Sequence, residues 1–427
     1  MILSRAKTVA LGLLVLLSIV LSFELWHGLW STPSVAPFTG PLGLRPVANP
    51  NLKQVTRPVR VVYQAGRPIK YSVGLPGSAP YDTVLTWLQK TSVSKQHSIS
   101  TYQAAEGTGV EVQFGTPLSR SLLLAYVPNA PTLPAGATVS RLWLAVPPAS
   151  NQVFLTVLTN NGETTGVTDL SAQSFEAGVT SEVRNEPWQR VGEDSYLPVA
   201  PFPVERQIWS TSSPQVLPLV RSFFVNPQVI TRVSGPNQTV IWTDGSRAVQ
   251  WNETSGTLQF SDPNATTSNT TTSNLRAIVS YLQTHGGTQS QSIVLKNAAT
   301  SPVLLADTYS FRPYIGGLEL LGTLGNYTID WLDGNPVGYE RPLTELGTLQ
   351  STTAVKTLSA TATMDIIDAM VPQALLPSIK VSLTCEAEPQ SANSVLIEPV
   401  FEITHAGQEV LRIDAVTGQV LSGGSAS

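Results

Sequence analysis

The hydrophobic pattern changes character along the chain. It opens with an uncharged apolar run, Thr8–Phe23 (TVALGLLVLLSIVLSF), preceded by Arg5 and Lys7 and closed by Glu24, Trp26, His27 and Trp30. Crossing a bilayer takes roughly 20 residues, and the span to Trp30 supplies them if Glu24 lies near the interface. Basic residues before the run and none directly after it place the N-terminus in the cytoplasm and the bulk of the chain outside. Ser34-Val35-Ala36 offers a small-residue cleavage signal, but Pro37 follows it. The run is also long for a signal-peptide core, so an uncleaved single-pass anchor is expected. Arg5, Lys7, Glu24, Trp26 and Trp30 would be its interfacial residues.

Beyond the anchor, residues 31–56 are dense in Pro and small residues and have no periodicity. They predict an extended stalk. Alternating or continuous apolar segments then predict strands at Arg57–Gln64, Val110–Phe114, Val139–Val146 and Val153–Leu158, with a hairpin turn at Asn160-Asn161-Gly162. Val84, Leu85 and Leu88 share one face of a predicted helix, Tyr81–Thr91.

Pro198, Pro201 and Pro203 mark a break. A meander follows over Val229–Val233, Thr239–Thr243, Arg247–Trp251 and Leu258–Phe260, with Asp244-Gly245 as its clearest turn. After a low-complexity Asn/Ser/Thr loop, Leu275, Ile278, Val279 and Leu282 form a helical stripe that Asn274 can cap and Gly286 ends. Further on, the pattern predicts a hairpin over Tyr327–Leu332 and Val337–Arg341, and a helix over Ala362–Val371. Strands are predicted at Ile379–Ala387, Val395–Thr404 and Glu409–Asp414, and a tight turn at Thr417-Gly418.

The fold class expected is α+β: one transmembrane helix, then a multi-domain extracytoplasmic portion of antiparallel sheets with packed helices. The expected divisions are anchor 1–30, stalk 31–56, a first domain 57–205, a second 206–300 and a third 301–427. Composition agrees with β-rich modules, since only 13% of residues are charged while Pro (32) and Gly (31) are plentiful. The net charge of -4 comes without a basic block to neutralise phosphates, which argues against nucleic-acid binding. A single Cys385 excludes intrachain disulfides and Cys-based metal sites. An exported chain without disulfides points to a bacterial, particularly Gram-positive, envelope.

The sequence offers little catalytic equipment. It has no G-x-S-x-G, H-E-x-x-H, C-x-x-C or phosphate-binding Gly loop, so no catalytic residue, metal site or cofactor is assigned. Gly316-Gly317, Gly322 and Gly325 bracket an apolar strand. His27, His97, His285 and His405 lack partners at metal-ligand spacing, and His285 is expected to interact with a helix C-terminal dipole. Asp365/Asp368 and Asp330/Asp333 are carboxylate pairs of the kind glycosidases use, but a solvated helix face and a strand-ending turn explain them more simply. In the anchor, Ser18 and Ser22 form a small-xxx-small pair with Val15 and Leu25 nearby, a face on which two helices can approach closely.

Phe223-Phe224-Val225-Asn226-Pro227, followed by a short strand and Thr243-Asp244-Gly245-Ser246-Arg247, resembles the YycH family. The motif residues are Phe224, Val225, Asn226, Pro227, Thr243, Asp244, Gly245, Ser246 and Arg247. The C-terminal hairpin at Val410–Val420 resembles the PepSY-like ending of the companion family YycI. These resemblances imply a non-enzymatic regulator of a sensor histidine kinase, WalK (YycG), that controls cell-wall metabolism. It would act with a YycI-like partner through transmembrane helices, and possible self-pairing is left open. An anchored cell-wall hydrolase and a secreted binding module are the alternatives.

Overall fold

The computed structural model describes residues 18, 52–97, 107–148, 150–265, 275–287, 292–300, 306–322 and 324–423. Most of the anchor and the stalk up to residue 51 therefore lie outside the described residues, as do Asn274 and the Asn/Ser/Thr loop from 266. Among the described residues no helix is long and apolar enough to cross a membrane.

The protein is α+β, built from antiparallel sheets with few helices. The first sheet has nine strands. They are β1 (Pro58–Ala65), β2 (Lys70–Gly74), β3 (Val93–His97), β4 (Thr108–Ser119), β5 (Thr138–Val146), β6 (Gln152–Thr159), β7 (Gly162–Ser171), β8 (Trp188–Gly192) and β9 (Ser195–Pro198). Their spatial order is β3-β7-β6-β5-β4-β1-β2-β8-β9. Period-2 alternation explains how β1 serves two cores at once: Val61 and Tyr63 face one, Val62 the other.

Two helices cover the first of these faces, α2 (Ala79–Lys90) and α4 (Ala172–Asn185). The short helix α3 (Arg120–Leu123) buries Leu123 on this sheet, whereas α1 (Leu52–Val55) corrects the expected stalk at its end: residues 52–55 are helical and bury Val55 with Leu219, Ile278 and Ile293 in another core. Ser78 caps α2 by accepting from the Tyr81 amide, and the i, i+4 run Val84–Leu88 is buried. In α4, Phe175, Val179 and Val183 do the same, with Trp87 and Phe175 rings 5.0 Å apart across the helix pair.

The chain next forms β10 (Pro203–Ser212), which does not belong to the following meander. It pairs with β20 (Glu345–Lys356) and β22 (Ser394–His405) in the C-terminal sheet, with β21 (Ile379–Ser391), β23 (Gln408–Asp414) and β24 (Val420–Gly423). Helix α7 (Ala360–Met370) packs Ala360 and Ile367 against Phe401, Ile403 and Leu411 of that sheet.

Everything between β10 and β20 builds a central sheet. Its strands are β11 (Thr231–Ser234), β12 (Thr239–Thr243), β13 (Ala248–Asn252), β14 (Thr257–Ser261), β15 (Ser292–Thr300), β16 (Asp307–Ile315), β17 (Leu318–Glu319), β18 (Tyr327–Leu332) and β19 (Asn335–Pro342). Helices α5 (Val216–Ser222) and α6 (Leu275–Thr284) bury Leu219, Val220, Ile278, Val279 and Leu282 on it.

Sheet membership departs from the expected divisions at two places. Residue 206 falls inside β10, whose partners lie in the C-terminal sheet. Residue 300 ends β15, which pairs with β16 across that point, while β14 pairs with β19. The hairpin at Tyr327–Arg341 thus completes the meander's own sheet. Turn signals report hairpins between neighbours in sequence, whereas these pairings close over long segments and leave no local trace.

Candidate functional site: the motif hairpin and its pocket

The motif residues come together where α5 runs into the meander. Thr243-Asp244-Gly245-Ser246-Arg247 turns β12 into β13, with Gly245 at φ +91°, a conformation that favours glycine. Asp244 is the hub of the turn. Its Oδ1 accepts from the Ser246 amide (2.9 Å), the Ser246 hydroxyl (2.8 Å) and the Arg247 amide (2.8 Å). Burial alone would raise the Asp244 carboxyl, but these bonds and the nearby Arg247 charge outweigh it and hold it below its ordinary range. The Thr243 hydroxyl accepts from the Gly245 amide at 3.0 Å and donates to the Arg247 carbonyl at 2.7 Å. Arg247 then reaches across to Asp262 through Nε–H and Oδ2 at 2.7 Å.

On the other side, Phe223 follows α5 and stacks on Phe260 (5.0 Å) and on the His285 imidazole (4.6 Å). Phe224 is buried beside it. Val225 is 60% exposed and Asn226 accepts from the Gln228 amide at 3.1 Å, so this half of the motif turns back towards solvent. Pro227 continues that turn towards β11. Together Phe223–Val225, Ser246, Arg247, Asp262 and His285 frame an open pocket of about 500 Å³.

His285 differs from its expected role. Its Nδ1 does lie 2.9 Å from the Tyr281 carbonyl at the end of α6, and Nε2 is 3.2 Å from the Ser222 carbonyl of α5. Both carbonyls favour the cation. Enclosure by Phe223 and Tyr281 removes water from the ring and wins, lowering its pKa to about 4, with the Arg341 charge adding to the effect. At neutral pH the ring is therefore uncharged. The Thr284 hydroxyl, 3.0 Å from Nδ1, can serve that nitrogen while Nε2–H donates to Ser222.

The remaining candidates are less concentrated. Asp365 and Asp368 are both exposed on α7. Asp330 accepts from the Thr308 hydroxyl at 2.6 Å, and Asp333 occupies the β18–β19 turn at φ +44°. His405 Nδ1 sits 3.0 Å from the Ser378 hydroxyl. Cys385 is buried, and burial pushes its thiol up and so disfavours the thiolate. Among the described residues no group of three His, Cys, Asp or Glu is placed to hold a metal. Of the anchor residues, Ser18 is described, helical and exposed. Val15, Ser22, Leu25, Arg5, Lys7, Glu24, Trp26 and Trp30 lie outside the described residues.

The motif thus builds a rigid corner from aromatic stacking and an Asx-type turn, in a protein of antiparallel sheets with packed helices. No protein-family model matches the sequence, and no curated protein matches it. Among solved structures, the crystal structure of YycH from Bacillus subtilis is similar with a TM-score of 0.63 at 15% identity, over 85% of this chain and 97% of that one. The chain has a YycH-like fold, in agreement with the motif resemblance. A protein from Eubacterium rectale ATCC 33656 (TM-score 0.35, 12% identity, 57% of this chain and 94% of that one) is also similar. So is the YpeB C-terminal domain of Bacillus megaterium (TM-score 0.26, 12% identity, 49% and 96%).

Proposed function

We propose that this protein is a membrane-anchored regulator of a sensor histidine kinase, acting with a YycI-like partner from the outer face of the membrane. The observation that carries the reading is the YycH-like fold, which spans most of the chain. The uncharged run Thr8–Phe23 behind Arg5 and Lys7 supplies the anchor that such a role needs. Its Ser18/Ser22 face, with Val15 and Leu25, is the surface assigned to helix–helix contact, where small residues allow close approach and hydroxyls bond across. Glu24 near that face is tolerable beside a partner or at the water boundary. The extracytoplasmic sheets would fix the depth and rotation of the anchor and so bias the kinase between two signalling states. A coupling of about 1–3 kcal/mol is enough to change kinase output severalfold or more.

Replacing both Ser18 and Ser22 with Leu removes the close-approach face and keeps the helix apolar. Co-purification of the kinase or the YycI-like protein from membranes is expected to fall by roughly fivefold or more. Full retention of both partners by the Ser18→Leu/Ser22→Leu variant would eliminate this face as the contact.

A further inference from the structure

The first, central and C-terminal sheets meet around a cavity of about 310 Å³ that none of the motif residues touches. Its walls bring together charged side chains that are far apart in sequence: Arg60 and Arg141 from β1 and β5, Asp194 from the β8–β9 turn, Lys296 and Glu319 from β15 and β17, and Lys380 from β21. Four cations against two carboxylates leave a surplus of two positive charges (4 − 2). Glu111, which pairs with Arg141 from behind the lining, reduces it to one. A cationic cavity is notable in a chain whose net charge is -4.

The partners are unevenly shared. Arg141 pairs with Asp194 and, at 2.7 Å, with Glu111. Lys296 pairs with Glu319 at 2.6 Å. Arg60 has neutral acceptors only: Nε–H donates to the Gln113 amide oxygen at 2.6 Å, Nη2 donates to the Asp194 carbonyl, and the guanidinium lies 5.4 Å from the Tyr196 ring centre. Lys380 makes no ion pair or hydrogen bond through its ammonium among the described residues. Trp188 is 4% exposed, lines the same cavity, and its indole Nε1–H has no acceptor among the described residues. Arg60 is thus already engaged and Lys380 is open to solvent, which leaves the Trp188 N–H as the buried donor of this cavity without a partner among the described residues.

Electrostatics agree. Arg60 is pushed down by burial, against the pull of Asp194. Lys380 is lowered by burial and then by Arg60 and Lys296. An anion among them would relieve that repulsion. The walls are also closely fitted. A Cβ on Gly115 would stand 2.6 Å from the Leu295 carbonyl, and one on Gly317 2.5 Å from the Pro76 carbonyl, so the cavity's width is set by backbone contact between sheets.

We propose that this junction binds a small phosphate-bearing molecule, held by Arg60, Lys380 and the Trp188 indole N–H. A phosphate group presents three strong acceptor oxygens, against two in a carboxylate, to cations and an N–H that approach from three different sheets. The volume is at the lower end of small-ligand sites, enough for a polyol or sugar phosphate. The proposal stands independently of the regulatory reading, because it concerns occupancy of the cavity and not any effect of that occupancy on a kinase.

The test is calorimetric titration of the full chain in detergent with inorganic phosphate, glycerol 3-phosphate, acetate and glycerol. Saturable binding of glycerol 3-phosphate or inorganic phosphate is expected, and the stronger of the two identifies an ester or the free ion as the ligand. Lys380→Gln, at the exposed rim, should weaken it by about tenfold, Lys380→Arg should retain it, and exposed Lys356→Gln should leave it unchanged. No saturable binding of either phosphate at roughly 10 mM would overturn the proposal. So would acetate binding as tightly as phosphate, or an unaltered affinity in Lys380→Gln.

Discussion

Arg341→Met is expected to lower stability by about 3–5 kcal/mol, because it strands a buried carboxylate. Arg341 on β19 is fully buried, and its Nη2 pairs with Glu345, which is 3% exposed. Nη1 donates to the His285 carbonyl at 2.9 Å, and the guanidinium lies 5.5 Å from the Tyr327 ring centre. This one side chain therefore ties the end of α6 to the central sheet. Burial raises the Glu345 carboxyl and Arg341 opposes that rise, so removing the arginine leaves Glu345 to be neutralised in place. The double variant Arg341→Met/Glu345→Leu should recover more than half of the loss, since an apolar pair avoids the desolvation of both ions. Chemical denaturation of the wild type and the two variants measures this. A double variant no more stable than the single one would contradict the pairing argument. Gly286→Ala should disturb the same contact from the other side. A Cβ there would lie 2.0 Å from Arg341 Nη1 at a φ of +95°.

The second large effect is a pH dependence centred on His285. Its folded pKa, about 4, lies below the ordinary histidine value of 6.5. Between those values the unfolded chain binds a proton that the folded chain refuses, so stability falls as pH falls. The contribution is complete above pH 6.5 and lost on passing down through pH 4. At pH 4.5 the loss amounts to about 2–3 kcal/mol relative to pH 7. Carboxylates such as Asp244, whose folded pKa is depressed, act below this window. His285→Gln keeps a donor for the Ser222 carbonyl and removes the titration. Denaturation at pH 4.5 and pH 7 should show a smaller acid loss in His285→Gln than in the wild type. Equal losses would mean that the ring is not held neutral. Such a shift would loosen the corner where α5, α6 and the motif hairpin meet.

Much of the sheet structure was legible from local patterns. Asp244-Gly245 marked its hairpin because only a few residue types accept that turn, and the Asp244 side chain then caps it. The Val84, Leu85 and Leu88 stripe announced α2, while the Ser78 cap and Pro80, which set its true start at Ala79, went unread. Helix α4 went unread although Ser171 caps it and Phe175, Val179 and Val183 recur every four residues. Its polar composition diluted that stripe. At the C-terminus, Thr417-Gly418 was recognisable as a turn, and Asp414 secures it by accepting from the Val416 and Thr417 amides.

Closure over distance left no such signal in the sequence. The Pro198–Pro203 segment read as a domain break, yet the strand beginning at Pro203 joins partners in the C-terminal sheet. The same holds for the sites. The motif residues were recognisable as a set because they fall in two short stretches. The junction cavity draws Arg60, Asp194, Lys296 and Lys380 from separate strands and turns, and none of them carries a motif. His285 could be placed at a helix end, but its charge state depends on Phe223 packing against it from α5's far end.

The central claim is that the anchor meets other transmembrane helices along its Ser18 face. A photoreactive residue placed at Ser18 of the full chain in intact membranes, followed by mass spectrometry of the captured species, measures this directly. Capture of a sensor histidine kinase or a YycI-like protein is expected, with loss of that product when the probe is moved to the opposite face at Val20. Capture of lipid alone from Ser18, or equal protein capture from Val20, would contradict it.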